Sequence, residues 1–164
     1  MLMRLVLIVV ISINGLHVFA QPTLNKLENH YWTLFKSCTN DSCLTKSKDT
    51  FTNIYLLKVD YHFHGKCEVY MSEYELIEDP VEGIRRWFPN GCTPYMVIKK
   101  AISDSVYQIE QLSEAGKYFG VLRISNEHFT FVGESEEHEK IVEEYDAVKI
   151  PKELEYIIPQ KSKQ

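Results

Sequence analysis

Glycine and proline are scarce, seven and six in 164 residues. That excludes collagen-like and Pro/Gly-rich disordered chains, which need several times more of either. Clustered basic residues are also missing. Eighteen Lys and Arg stand against 23 Asp and Glu, a net charge of −5, and no stretch forms a basic stripe. Nucleic-acid binding needs such a stripe to displace phosphate counterions, so that class of partner is not expected. No Gly-x-Ser-x-Gly nucleophile motif and no Cys-x-x-Cys pair occurs. No enzymatic activity and no cofactor are therefore expected. Aromatics, in contrast, are plentiful at 12%, with ten Tyr and eight Phe, a bias toward pleated, half-buried strands. The length fits one domain.

Met1 to Ala20 has the layout of a secretory signal peptide. Arg4 gives the positive start, Leu5 to Ile13 the apolar stretch, and Val18 and Ala20 the small side chains at −3 and −1 before Gln21. The apolar run is too short for a bilayer span, which needs ~20 residues, and no second run of that kind follows. The expectation is a secreted, extracellular protein over residues 21–164 with no membrane segment. Secretion also changes how Cys38, Cys43, Cys67 and Cys92 are read. An even set in an oxidising compartment points to two disulfides, with three pairings open from the count alone. Asn40-Asp41-Ser42 is an N-glycosylation acceptor, making Asn40 a candidate glycan site.

Hydrophobic periodicity then predicts eight strands in series. The clearest runs from Phe51 to Phe63, where Phe51, Tyr55, Leu57, Val59, Tyr61 and Phe63 share one face and Lys58, Asp60 and His62 the other. Further strands are expected over 31–36, 67–77, 85–88, 95–101, 106–112, 118–125 and 128–133, parted by short turns. After Ser135 the pattern changes. Glu136, Glu137 and Glu139 suit a helix N-terminus, and Ile141, Val142, Tyr145 and Val148 fall on one helical face. A helix ended by Pro151 is expected, followed by a short strand over 154–158.

Eight antiparallel strands and one helix make an all-β fold: an up-and-down barrel, which removes sheet edges by closing on itself, with the C-terminal helix packed on its wall. In this layout the chain resembles the lipocalins. Trp32 on the first strand, after a short turn, is similar to their Gly-x-Trp motif, with His30 in place of the Gly. Lys117-Tyr118 keeps the Tyr of their Thr-Asp-Tyr motif. The segment from Phe129 to Ile158 resembles their last strand, helix and closing strand, although Glu134 stands where they commonly carry a basic residue over the Trp. The resemblance implies a carrier of a small hydrophobic or amphipathic molecule held inside the barrel.

Extending the strand parity around such a barrel gives the candidate lining as Tyr55, Leu57, Met71, Trp87, Val97, Tyr107, Ile109, Leu122 and Phe131. Apolar burial would supply binding and tyrosine hydroxyls orientation. Glu73 shares parity with Val69 and Met71, so a cationic amine is a second ligand class, with Glu73 as its counter-charge. The runner-up reading, ahead of the amine, makes the barrel a scaffold whose loops, 38–50 and the acidic stretch Glu73–Glu82, bind a partner protein. His62-Phe63-His64 has metal-like spacing, but two histidines beside a turn fall short of the three or four ligands a metal needs, so no metal is expected. Finally, alternating strand directions put Cys38 and Cys43 at one end and Cys67 and Cys92 at the other. Ends ~20 Å apart exceed the ~7 Å Cα limit for a disulfide, so Cys38–Cys43 and Cys67–Cys92 are the expected bridges.

Overall fold

The computed structural model describes residues 21–46, 52–62, 67–78, 81–90, 95–113, 116–150 and 152. The expected signal peptide, Phe51, Phe63, His64, Cys92, and the strand expected over 154–158 lie outside the described residues. A helical turn α1 (Gln21–Leu24) runs into a 3-10 turn, Asn25–Asn29. Ten strands follow: β1 (Tyr31–Thr39), β2 (Ser42–Thr45), β3 (Asn53–Tyr61), β4 (Cys67–Glu78), β5 (Arg85–Pro89), β6 (Tyr95–Ser103), β7 (Val106–Ser113), β8 (Gly116–Ile124), β9 (His128–Ser135) and β10 (Lys140–Val148).

Antiparallel pairing orders them β10-β9-β8-β7-β6-β4-β3-β1, and β10 pairs with β1 to close the ring. β5 and β6 count as one barrel strand. Both lie antiparallel to β4, β5 against Tyr74 to Glu78 and β6 against Cys67 to Tyr70, so they run in the same direction end to end. The result is a closed, eight-stranded antiparallel barrel, with β2 as a short flap on the far end of β1.

The expected helix after Ser135 does not form; Lys140–Val148 is the eighth barrel strand. The apolar set Ile141, Val142, Tyr145 and Val148 fits a helical face and an alternating strand about equally well over so short a stretch. Closure decides between them, because a helix would leave the edges of β1 and β9 unpaired, and an open edge is what a barrel avoids. Strand preference of the β-branched residues acts the same way. The helix-start chemistry survives as a turn: Ser135 Oγ accepts the N–H groups of Glu137 (3.3 Å) and Glu139 (3.1 Å), and the chain reverses into β10.

Inside, the core gathers alternate residues from β1, β3, β4 and β6 to β10, among them Trp32, Leu57, Val59, Val69, Met71, Tyr107, Ile109, Leu122, Ile124, Phe129 and Phe131. One end is stoppered by the N-terminal turns. Leu24 and Leu27 are buried there, Trp32 Nε1 donates to Leu27 O (2.8 Å), and Glu28 accepts from the Val59 N–H (2.7 Å). Trp32 packs edge-on to Phe129, with ring centroids 4.8 Å apart. Midway along β8, Gly120 faces Gly133 of β9, and the Phe131 ring lies over the pair.

Of the expected bridges, Cys38–Cys43 is present, joining directly opposed residues of β1 and β2. Cys67 is a buried free thiol, so the expected Cys67–Cys92 bridge is not made. The cause is strand counting. Taking 85–88 and 95–101 as two strands of opposite direction carried the chain back to the Cys67 end between them, whereas β5 and β6 run the same way. Burial, with Asp60 and Glu68 nearby, pushes the Cys67 thiol up to about 11.

Two outcomes are expected. Non-reducing peptide mapping recovers Cys38 linked to Cys43, and in a Cys92→Ser chain Cys67 reacts with a thiol reagent at pH 8 only after unfolding. Gly120→Ala costs more than Gly133→Ala in chemical denaturation, with about 1–3 kcal/mol as the usual scale of overpacking. A methyl at Gly120 meets the Val132 carbonyl and the Gly133 Cα, which are backbone, before the Phe131 ring, while the nearest atoms to one at Gly133 all belong to the Phe131 ring.

Candidate functional site

Seven of the expected lining residues, Tyr55, Leu57, Met71, Tyr107, Ile109, Leu122 and Phe131, share one buried cluster inside the barrel. Glu73 stands opposite Tyr55 in the β3–β4 register and so faces the same interior. Two expected lining residues do not. Val97 pairs with Glu68 and with Glu110, on the outer face; its neighbours Met96 and Ile98 point inward, opposite Val69 and Ile109. Trp87 pairs with Leu76 and belongs to a second cluster on the outside of the barrel, with Ile54 and Ile150, flanked by Tyr31, Leu56, Tyr74 and Val148. The runs Arg85 to Phe88 and Tyr95 to Ile98 do not alternate, so sequence parity had nothing to hold.

At the end away from the stopper the interior becomes polar. Glu73 Oε1 accepts from Asn53 Nδ2 (2.5 Å) and from the Tyr55 hydroxyl (3.2 Å). Glu143, on β10 and opposite Phe131 of β9, accepts from the Tyr145 hydroxyl (3.2 Å) and from Gln111 Nε2 (3.4 Å). Tyr55 and Tyr145 meet edge to face, centroids 5.4 Å apart, and Tyr145 stacks on Phe129 at 4.4 Å. Tyr118, opposite Gln111 in the β7–β8 register, donates its hydroxyl to Glu139 (2.5 Å). Each of the three carboxylates thus accepts one tyrosine hydroxyl.

The electrostatics follow from that layout. Burial, reinforced by the facing carboxylates, drives the Tyr55 and Tyr145 hydroxyls far above the ordinary phenol range, and each ring feels both Glu73 and Glu143. The bond to Glu139, followed by burial, pushes Tyr118 up to about 12. All three hydroxyls therefore stay protonated donors. Burial raises the Glu143 carboxyl above its usual value, partly offset by the bonds from Gln111 and Tyr145. Among the described residues no Lys or Arg pairs with Glu73, Glu139 or Glu143. The cations sit in surface ion pairs instead: Lys36 with Glu144, and Lys99 and Lys117 with Glu110.

Glu143, Tyr145 and Gln111 were missed in the sequence. Reading 141–148 as a helix hid the first two; at period two, Ile141, Glu143, Tyr145 and Ala147 fall on one face. Gln111 was within reach, because it continues the parity of Tyr107 and Ile109. Among the described residues no group of three or more His, Cys, Asp or Glu could hold a metal ion. His62 is at the surface and bonds Glu68 (2.9 Å). Asn40 is exposed at the β1–β2 turn, with φ 52° and its Oδ1 accepting the Lys140 N–H (2.9 Å).

No family model and no curated protein matches the chain. Among solved structures a redesigned β-barrel matches, 13% identical, covering 77% of this chain and 96% of that one, with a TM-score of 0.42. The barrel assignment stands on the strand pairing, not on that likeness.

Trp87→Ala separates the two clusters. Truncating a buried Trp costs about 3–5 kcal/mol, so the variant is expected to unfold at markedly lower denaturant concentration. Its affinity for any ligand held inside the barrel should match the parent protein. A selective loss of ligand affinity would place Trp87 in the lining after all.

Proposed function

We propose that the protein is a secreted carrier, or scavenger, of a small amphipathic molecule bearing an ammonium group, held inside the barrel. One observation carries this: two carboxylates, Glu73 and Glu143, project from the inner wall toward the same tyrosine pair without a basic partner among the described residues. Glu73 and Glu143 are half-buried, and a carboxylate drawn out of water is costly unless a cation or good donors compensate it. An ammonium ligand supplies both, and the faces of Tyr55 and Tyr145 add cation–π attraction. Met71, Leu57, Ile109, Leu122 and Phe131 would take the apolar part of the molecule by ordinary burial. Secretion is supported by the leader-like first twenty residues and agrees with the Cys38–Cys43 bridge, since disulfides persist in oxidising compartments. The resemblance to lipocalins in layout favours the same reading. The exposed Asn40 sequon would carry its glycan at the β1–β2 turn, outside the barrel.

The test is calorimetric titration with 2-phenylethylamine. Binding is expected at pH 7.5, and Glu73→Gln and Glu143→Gln should each weaken it about 10- to 100-fold, the usual worth of a hydrogen bond to a charged group. Uncharged ethylbenzene binding as tightly, or both variants binding unchanged, would overturn the proposal. The pH dependence has a definite sign. The amine stays cationic throughout, while Glu143, with its raised carboxyl, takes up a proton before an ordinary Glu does. Affinity should therefore fall on acidification from above the usual carboxylate range. For Glu143 alone, stability of the free fold runs the other way. A carboxyl raised in the folded state contributes its full stability at pH below the unfolded value, and that contribution is lost as pH rises through the folded value.

A further inference from the structure

Gln111 sits on β7 between Met96 of β6 and Tyr118 of β8 in register, and its side chain points into the barrel. It is 3% exposed. Its Nε2 reaches Glu143 on β10, although β8 and β9 separate those strands in the sheet, so the side chain crosses the interior. That contact also fixes the amide. A carboxylate accepts hydrogen bonds and cannot donate one, so the NH₂ must face Glu143 and the carbonyl must face away. The consequence is that Gln111 Oε1 is buried with no hydrogen-bond partner among the described residues. Folded proteins rarely leave such an acceptor alone, because burying it unpaired costs about 1–3 kcal/mol. It lies beside the carboxylate already assigned to the ligand's charge.

We infer that Gln111 is a specificity-determining residue, whose Oε1 accepts a hydrogen bond from the ligand and selects primary ammonium groups over quaternary ones. The inference rests on the ammonium reading above and sharpens it. A primary ammonium has three N–H donors. Glu143 can take one, Gln111 Oε1 a second, and the third remains for Glu73 or for solvent. A trimethylammonium group has the same charge and the same attraction to the Tyr55 and Tyr145 rings. It has no donor, and its methyl groups would seal Gln111 Oε1 away from any partner. Sites built to hydrogen-bond a ligand reject the analogue lacking the donor for this reason: the protein's own polar group is left unpaired.

The experiment compares 2-phenylethylamine with its N,N,N-trimethyl analogue by calorimetric titration, on the parent protein and on Gln111→Met and Gln111→Glu. The parent is expected to bind the primary amine at least ~30-fold tighter, in keeping with a missing hydrogen bond to a buried acceptor. Gln111→Met should cut that ratio about tenfold, mostly through weaker primary-amine binding. Because it also removes a donor to Glu143, the ratio is the readout, since any change in the Glu143 charge affects both ligands. Gln111→Glu keeps an acceptor oxygen at this position and should keep the preference. The parent comparison needs no variant, so a folding defect in either one leaves the inference testable. Equal affinities for the two ligands would overturn this inference and leave the ammonium site standing, as would a ratio unchanged in Gln111→Met. Binding of neither ligand would overturn the ammonium site, and this inference with it.

Discussion

Strand β1 is hydrogen-bonded along both edges, to β3 and then β2 on one side and to β10 along its whole length on the other. The β1–β10 ladder closes the barrel, and its register determines what the interior contains. Tyr145 stands opposite Leu34 and Glu143 opposite Ser37, with one bulge between Leu34 and Lys36 absorbing the mismatch. Strand side chains alternate with period two, so a slip of a single residue would exchange the two faces of β10. Glu143 and Tyr145 would turn to solvent, and Glu144 and Asp146 would turn in. The outward partners guard against this: Lys36 pairs with Glu144 (2.9 Å) and His128 with Asp146 (2.7 Å), both on the water side. Closure, register and candidate site are thus one constraint.

With the register set, the interior divides along the barrel axis. The stoppered end is apolar and tightly packed, with Leu24, Leu27, Trp32 and Phe129 almost wholly buried. The far end concentrates acceptors and the hydroxyls that serve them. Tyr55 and Tyr145 each turn an edge or face to aromatic neighbours and a hydroxyl to a carboxylate, so one residue type carries both the packing and the polar compensation. That compensation is incomplete, since the carbonyl of Gln111 is left over. Departures from full polar satisfaction concentrate at functional sites, which is why the ligand is proposed for the acceptor-rich end and not for the packed end.

How much of this could be read from the sequence follows from where the chain alternates. β3 and β7 to β9 alternate cleanly, and Tyr55, Leu57, Tyr107, Ile109, Leu122 and Phe131 were assigned to the interior correctly. β5 and β6 are uniformly apolar or basic at the critical positions, so Trp87 and Val97 were put on the wrong face. The same pair of short strands also misled the count. They share β4 as a partner, with two extra residues between the ladders Tyr74↔Pro89 and Tyr70↔Tyr95, and no local signal marks two segments as one interrupted strand. The sequence predicts eight barrel strands and the described residues form eight, but one is a merger of β5 and β6 and another replaces the expected helix. β10 is the instructive case. Its acidic start and apolar spacing satisfied a helix locally, and only the unpaired edge of β1, about a hundred residues away, favours a strand.

The central claim is that Glu143 is a lumenal carboxylate held ready for a cation. Carbon-13 carboxyl NMR on glutamate-labelled protein, with Glu143→Gln to assign the resonance, reads this directly. In the free protein Glu143 should titrate above the ordinary carboxylate range, because burial disfavours its charged form. Saturation with 2-phenylethylamine should bring that titration down, because the bound ammonium stabilises the charge. A Glu143 resonance that titrates like a surface glutamate, and that the amine leaves unmoved, would contradict the account.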